Sequence, residues 1–456
     1  MLTGEMISQA AKDLHESMVA RRRDLHQHPE PGWTEFRTAS IVATTLTKLG
    51  YAVKVGADVV KQESMMGVPS AEKLAQEQER AISEGADSKR VEQMTGGMTG
   101  VVGTMVFSED GPTVGLRFDM GSNDVTEQCG DSHRPCREGF ASIHPGAMHA
   151  CGHDGHTTVG LALAELLVKW RGELKGTVKL VFQPAEEGAP VEADASGKVP
   201  SFGARAMIEA GALRDVQAIY GLHITSNLPG GVVGYRSGPL MAGSDNITIH
   251  VEGRGGHGSS PWATIDPIVA ASQVVMGLQT VVSRQLNISQ EPAVVTIGQI
   301  QGGTRYNIIP DKVEMLGTLR TFDEDMRQEA LKRITTTAES IAAASGAKAS
   351  VRFGPVAYPV TTNPAQLTQA SLPALNLAMG GKTMVIPKVS GSEDFSEFQK
   401  VVPGFFYFLG APPKGKEFAK APPNHSALFD IDEDQLPTGA RSLAALALDA
   451  QNLHGQ

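Results

Sequence analysis

Apolar residues recur at helical spacing over residues 6–28 and 34–49, and Gly50 stands just past the second stretch as a C-cap, so two helices are expected to open the chain. The stretch 55–98 breaks the pattern. It is rich in Glu, Gln, Ser, Met and Gly, and reads as a partly helical insertion rather than as core. From residue 99 onward strands and helices alternate. TGVVGTMVF (99–107), TVGLRFDM (113–120), TVKLVFQP (177–184) and AIYGLHI (218–224) are short runs rich in Val, Ile and Leu, bounded by Gly and Pro, with helices expected over 156–170 and 203–211. Such runs suit strands buried on both faces of a mostly parallel sheet.

The texture changes at about residue 244. SDNITIHVEG (244–253) alternates apolar and polar residues, so one face of its sheet is expected to meet solvent. A helix over 266–285, strands near 293–301 and 312–321, a helix over 324–345 and a strand at 348–355 complete the order β-α-β-β-α-β, which is ferredoxin-like. The chain then returns to α/β texture, with a helix near 364–379, a strand at 404–410 and a last helix over 433–452. The expected architecture is an α/β domain with a mostly parallel mixed sheet, formed by 1–243 and 357–456 and interrupted by a smaller α+β domain at 244–356.

Composition narrows the possible partners. Forty Lys and Arg against 50 Asp and Glu give a net charge of −10, with no basic patch to compensate, which excludes the electrostatic footprint of a nucleic-acid binder. No window of about 18 apolar residues would span a membrane, and the N-terminus lacks the apolar run and cleavage site of a secretory signal. Three cysteines do not make a disulfide framework, so each thiol is expected to be free, the compartment reducing and the location cytoplasmic.

Four of the 13 histidines, at 144, 149, 153 and 156, fall in IHPGAMHACGHDGH beside Cys151. An extended Cys151-Gly152-His153 would point both side chains the same way and form a clasp for a transition ion such as Zn²⁺ or Co²⁺. Asp154 is placed either to cap a helix beginning near His156 or to hold a ligating histidine. QPAEEG (183–188) ends a buried-type strand in two acids, one suited to bind metal and the other to hold a water. His223 in YGLHI and His425 in PPNHSALF carry little signal alone. Together, Cys151, His153, Glu187, His223 and His425 are five ligands for two divalent ions, with Glu186 left as base on a bridging water, and an amide is the expected target.

At this point the chain resembles the M20 metallopeptidases, within them the amidohydrolase branch of hippurate, auxin-conjugate and aminobenzoyl-glutamate hydrolases. The motifs are RRRDLHQHPEPGWTEFRTA (21–39), LRFDM (116–120), MHACGHDGH (148–156), QPAEEG (183–188), GLH (221–223), GRGGHG (253–258), NIIPDKVEMLGTLRTFD (307–323), GSEDFSEF (391–398) and NHSALFDID (424–432). The resemblance implies two divalent ions (Zn, Mn or Co) on the same five ligands, with Glu186 as general base and acid. It also implies that the 244–356 domain is a lid and dimerisation domain, and that the enzyme is a homodimer acting on a small N-acyl or N-aroyl amino acid. His257 would reach the neighbouring subunit's site to stabilise the oxyanion, and Asn307 and Arg320 would bind the substrate carboxylate. LRFDM is followed by Gly121-Ser122 where the family usually has Asp-Ala, which leaves Asp119 alone as the carboxylate behind the metals. Trp262 stands where hippurate-hydrolase-like members have His, and the loop 188–202 is longer than usual. The rival readings are a dipeptidase or aminoacylase of the same fold, a cysteine hydrolase using Cys151, and a non-catalytic subunit of a heteromeric hydrolase. A substrate panel, a chelator and a metal assay separate them.

Overall fold

The computed structural model describes residues 3–187, 202–354 and 358–450. One eight-stranded sheet runs in the order Ala52–Val55, Val101–Val106, Thr177–Gln183, Thr113–Asp119, Ala218–Thr225, Gly404–Gly410, Val233–Tyr235, Thr383–Val385. Four of its seven neighbouring pairs are parallel, so the sheet is mixed. The central strands are buried on both faces, which is why they read as unbroken apolar runs. Helix His153–Lys169 packs against them and is almost wholly buried.

The second sheet is four-stranded and antiparallel, in the order Ala293–Gly302, Lys312–Thr321, Gly243–Glu252, Lys348–Phe353, with helices Pro267–Thr280 and Glu324–Ala344 packed on one face. This is the ferredoxin-like arrangement that the order of elements predicts. The first helix ends in a π turn, Val281–Gln285. Among the described residues no helix is long and apolar enough to cross a membrane.

Three expectations need correction. The opening helical stretch is two helices, Gly4–Asp13 and His15–Gln27, broken at Leu14. The 55–98 insertion is not separate from the core: its helices Ala71–Ser83 and Ser88–Gln93 bury Leu74, Ala81 and Val91 in the main apolar cluster, and Met94, just past the second helix, joins them. These apolar positions sit at helical spacing among Glu and Gln, so the average composition hides a one-sided face. Finally, Cys129 and Cys136 form a disulfide across the turn that precedes helix Arg134–Arg137, leaving only Cys151 free. The premise of three free thiols therefore fails. Cysteines seven apart reach each other because the intervening polar chain reverses direction.

Candidate active site

Three neighbouring parallel strands bring chemistry to their C-terminal ends, the edge at which open α/β sheets bind ligands. Thr113–Asp119 ends on Asp119, Thr177–Gln183 runs through Pro184 and Ala185 into Glu186 and Glu187, and Ala218–Thr225 carries His223. Cys151 and His153 enter from the start of the central helix. The extended clasp expected for Cys151-Gly152-His153 is not formed: Gly152 has φ +91° and the chain turns directly into the helix at His153. Glycine takes this left-handed conformation without a Cβ penalty. Asp154 consequently lies inside the first helical turn rather than capping a helix at His156, and it pairs with Arg22 at 2.9 Å and His26 at 2.7 Å.

Cys151 Sγ lies 3.3 Å from His223 Nε2 and 3.2 Å from His425 Nε2, and His425 Nε2 lies 2.7 Å from Glu187 Oε1. His153 Nε2 is 3.5 Å from Asp119 Oδ2 and 4.0 Å from Glu186 Oε2. Ligand atoms lie within 4.8 Å of one another in the sets Cys151, His153, His223 and Cys151, Glu187, His425. Cys151 belongs to both of these sets, and His153 also falls in a set with Glu186 and Glu187.

The donor set fits divalent cations. His153 Nδ1 donates to the Gly121 carbonyl at 2.7 Å and His223 Nδ1 to the Ile224 carbonyl at 2.8 Å, which turns both Nε2 atoms toward the cluster. His153 Nε2 is buried and has no hydrogen-bond partner among the described residues, which leaves its lone pair free for a cation. His156, by contrast, donates through Nδ1 to Asp119 and accepts from the Ile224 N–H at Nε2 (2.8 Å), so its lone pair is already used. His144 is bonded to the Pro29 carbonyl and Glu84, and His149 is buried with neither ring nitrogen paired, its pKa pushed down to about 3 by burial. Neither belongs to the ligand sets.

The electrostatics point the same way. Burial, then the charges of Glu187, Glu186 and Asp119, push the Cys151 thiol well above its ordinary range. Burial, then Glu393, Glu187 and Asp394, does the same to the Glu186 carboxyl against the pull of Arg117. Burial also works against Glu187, but its bond to His425 holds it down at about 2.

Five supporting residues, Arg117, Glu393, Asp394, Tyr358 and Glu35, escape a reading of the sequence. Arg117, fully buried within its strand, donates to Asp119 at 2.9 Å, Gln183 at 2.8 Å, and Glu393 and Asp394 at 2.8 Å each. A lone arginine in a buried strand is the signal that could have found the GSEDF acids. Burial, with the charge of Glu393, raises the Asp394 carboxyl to about 8 although Arg117 opposes it. Tyr358 donates to the Glu186 carbonyl at 3.1 Å. Asp119 is not the only buried carboxylate behind the site: Glu35 Oε1 would lie 2.9 Å from a Cβ at Gly121, and it accepts the Ala185 N–H at 2.7 Å. A side chain at 121 would collide with it, so the glycine and Glu35 form one packing unit.

A cavity of about 600 Å³ opens over the cluster. Cys151, Glu186, Glu187, His223, His425 and Arg320 all line it, the last from the four-stranded domain. Arg320 bonds the Ser392 hydroxyl and has no carboxylate partner among the described residues, and burial lowers its pKa. Phe202 lines the cavity too, while 188–201 of the long loop lie outside the described residues. His257 and Asn307 are not in the cavity lining. They sit together on a small exposed ribbon, where Ile308 pairs with His257 and the Gly258 N–H donates to the Asn307 carbonyl at 2.9 Å. Trp262 is 82% exposed in the same region.

Residues 116–449 match the model of Peptidase family M20/M25/M40. The chain belongs to this family. Across 96% of its length it is 36% identical to N-acetylcysteine deacetylase of Bacillus subtilis, covering 98% of that protein. It is 33% identical to indole-3-acetyl-aspartic acid hydrolase of Enterobacter agglomerans, with 97% of this chain and 98% of that one covered. The structure of a dinuclear metal-binding M20 peptidase from Bacillus subtilis superposes with a TM-score of 0.72 at 32% identity, covering 96% of this chain and 99% of that one. This M20 protein is therefore an enzyme, a hydrolase of linear amides.

Proposed function

We propose that this M20 enzyme hydrolyses the amide bond of N-acyl or N-aroyl amino acids, using two divalent ions from among Zn²⁺, Mn²⁺ and Co²⁺ held by Cys151, His153, Glu187, His223 and His425. The observation that carries the proposal is one cavity lined both by an acid-rich cluster of metal-ligating groups and by an arginine that has no carboxylate partner among the described residues. Bound ions would polarise the scissile carbonyl and acidify water. Glu186, raised in pKa, is suited to take a proton from the attacking water and return it to the departing amine nitrogen. Arg320 can hold the substrate carboxylate through two parallel hydrogen bonds, fixing the amide over Glu186.

We also propose that the enzyme works as a homodimer. Among the described residues, the four-stranded domain exposes Val269, Met276, Ile300 and Tyr306, the last at 99%, a density of apolar surface that calls for a partner. His257 and Asn307 lie outside their own subunit's cavity, which suits a reading in which His257 of the partner subunit steadies the developing oxyanion. The test is turnover of hippurate, aminobenzoyl-glutamate, indoleacetyl-amino acids and plain dipeptides by metal-loaded enzyme of measured mass in solution. Cleavage confined to dipeptides, or a fully active monomer, would overturn the corresponding part of the proposal.

A further inference from the structure

The chain crosses between its two domains twice, and the two crossings touch. It enters the four-stranded domain at strand Gly243–Glu252 and has left it by Tyr358. Ser244 and Tyr358 form an antiparallel bridge: the Ser244 N–H donates to the Tyr358 carbonyl at 2.9 Å, and the Tyr358 N–H to the Ser244 carbonyl at 3.0 Å. A Cβ at Gly243 would come within 3.1 Å of the same Tyr358 carbonyl oxygen, so a larger residue there would crowd the bridge. On its other side Ser244 is the register partner of Arg320. Residues directly opposite one another in antiparallel strands project on the same face, so Arg320, Ser244 and Tyr358 make one row. All three line the cavity over the metal-ligating cluster.

The two ends of this row hold different parts of the proposed chemistry. At one end Arg320 is suited to hold the substrate carboxylate. At the other, the Tyr358 hydroxyl donates at 3.1 Å to the Glu186 carbonyl, and among the described residues it is the one donor to that oxygen. The carbonyl belongs to the peptide that joins Glu186, the proposed proton carrier, to Glu187, a proposed metal ligand. A general base must lie within about 2.6–3.2 Å of the proton it takes, so a turn of that peptide by a fraction of an ångström at the carboxyl would slow the reaction. The Tyr358 ring is itself held: it stacks on Phe202, with centroids 5.2 Å and planes 28° apart. We propose that Tyr358 is a positioning residue, fastening the Glu186–Glu187 peptide to the strand row that carries Arg320 and so setting the proton carrier at a fixed distance from the carboxylate anchor.

This inference rests on the reading of Glu186 as proton carrier, and the experiment separates the two. Tyr358→Phe removes the hydroxyl but keeps the ring stack and both main-chain bonds to Ser244, so it should fold and hold metal. On the N-acyl amino acid that wild type cleaves best, kcat is expected to fall by about three- to tenfold, as for the loss of one hydrogen bond, with KM within about twofold. In a Glu186→Gln background the same change should lower kcat by less than about twofold, because a group that acts through Glu186 has nothing left to position. An equal loss in both backgrounds, or a raised KM with kcat unchanged, overturns the assignment. Hydrogen–deuterium exchange of the metal-loaded protein gives a readout free of turnover. The Glu187 N–H belongs to the peptide that Tyr358 holds, and it should exchange several-fold faster in Tyr358→Phe than in wild type. Equal exchange overturns the assignment. If Glu186→Gln is as active as wild type, the proton-carrier reading fails by itself, and the exchange rates still decide whether Tyr358 holds the peptide.

Discussion

Two groups of buried acids meet at consecutive residues, His153 and Asp154, and they are balanced in opposite ways. On the Asp154 side every acid has a protein cation: Arg22 reaches Asp154, Asp430 and Glu433, and Arg134 reaches Asp430 at 2.7 Å and Glu433 at 2.6 Å. Although burial opposes it, these charges hold Asp154, Asp430 and Glu433 below the usual carboxylate range. On the His153 side Arg117 is, among the described residues, the one arginine or lysine paired with Asp119, Glu393 and Asp394, with His153 and His156 also facing Asp119, and Glu186 and Cys151 are left with raised pKa values. The first region is closed by its own side chains. The second is short of positive charge by an amount that divalent ions would supply, which distinguishes a structural network from a site for cations.

The strongest way to break the comparison is Glu186→Gln. It removes the proposed proton carrier and lightens the acid surplus, so the enzyme should still fold and retain metal while kcat falls by about 10²–10⁴-fold. Retained metal with unchanged turnover would remove Glu186 from the chemistry.

Next in size is Arg22→Met. Deleting the central cation of the closed network leaves buried Asp154 with His26 as its remaining partner and Asp430 and Glu433 to Arg134, and losing one partner of a buried ion pair costs about 3–5 kcal/mol. Denaturant unfolding should show that loss with or without added metal. If the variant is destabilised only in the presence of metal, the two regions are not separately balanced.

How much of this division was legible in the sequence follows from how far apart the partners are. The strands 312–321 and 404–410 have the expected limits because an alternating or unbroken apolar run is a local signal. The clustered Cys151 and His153 stood out for the same reason, although their geometry did not, since Gly152 replaces the assumed strand with a left-handed turn. Glu35 and Arg117 did not stand out, because Glu35 holds Ala185 from 150 residues away and Arg117 holds Glu393 from 276. The Cys129–Cys136 disulfide lies in a polar turn without periodicity. Contacts whose only signal is a polar residue inside an apolar segment require the fold to name their partners.

Metal removal sharpens the contrast at smaller cost. A ligand that binds only the folded chain adds about 2.7 kcal/mol of stability at a hundredfold excess over its Kd. Treatment with EDTA should therefore lower the stability of wild type by an amount of that order. Because Cys151 is shared by both ligand sets, Cys151→Ser should lose most of that metal-dependent increment. The same increment in wild type and Cys151→Ser would mean that the ions bind elsewhere.

The smallest expected effect is on the closed side, at Glu127. This carboxylate accepts from His133 at 2.7 Å, His26 at 3.2 Å and the Ser142 N–H at 2.6 Å, tying the disulfide-bearing loop to the opening helices. Burial opposes its charge, yet these bonds hold its pKa at about 2, against an ordinary value of 4.5. A carboxyl with a lowered pKa in the folded chain contributes stability that is complete above its unfolded value and is lost as pH falls through the folded one. The contribution should therefore be constant above about pH 5 and disappear between about pH 4.5 and 2, amounting to on the order of 1 kcal/mol once solvent screening is allowed for. Glu127→Gln should differ from wild type by that amount at pH 7 and converge with it toward pH 2 in urea unfolding. A difference that persists unchanged to pH 2 would mean that packing rather than charge holds the loop, and that the closed region owes less to paired ions than its geometry implies.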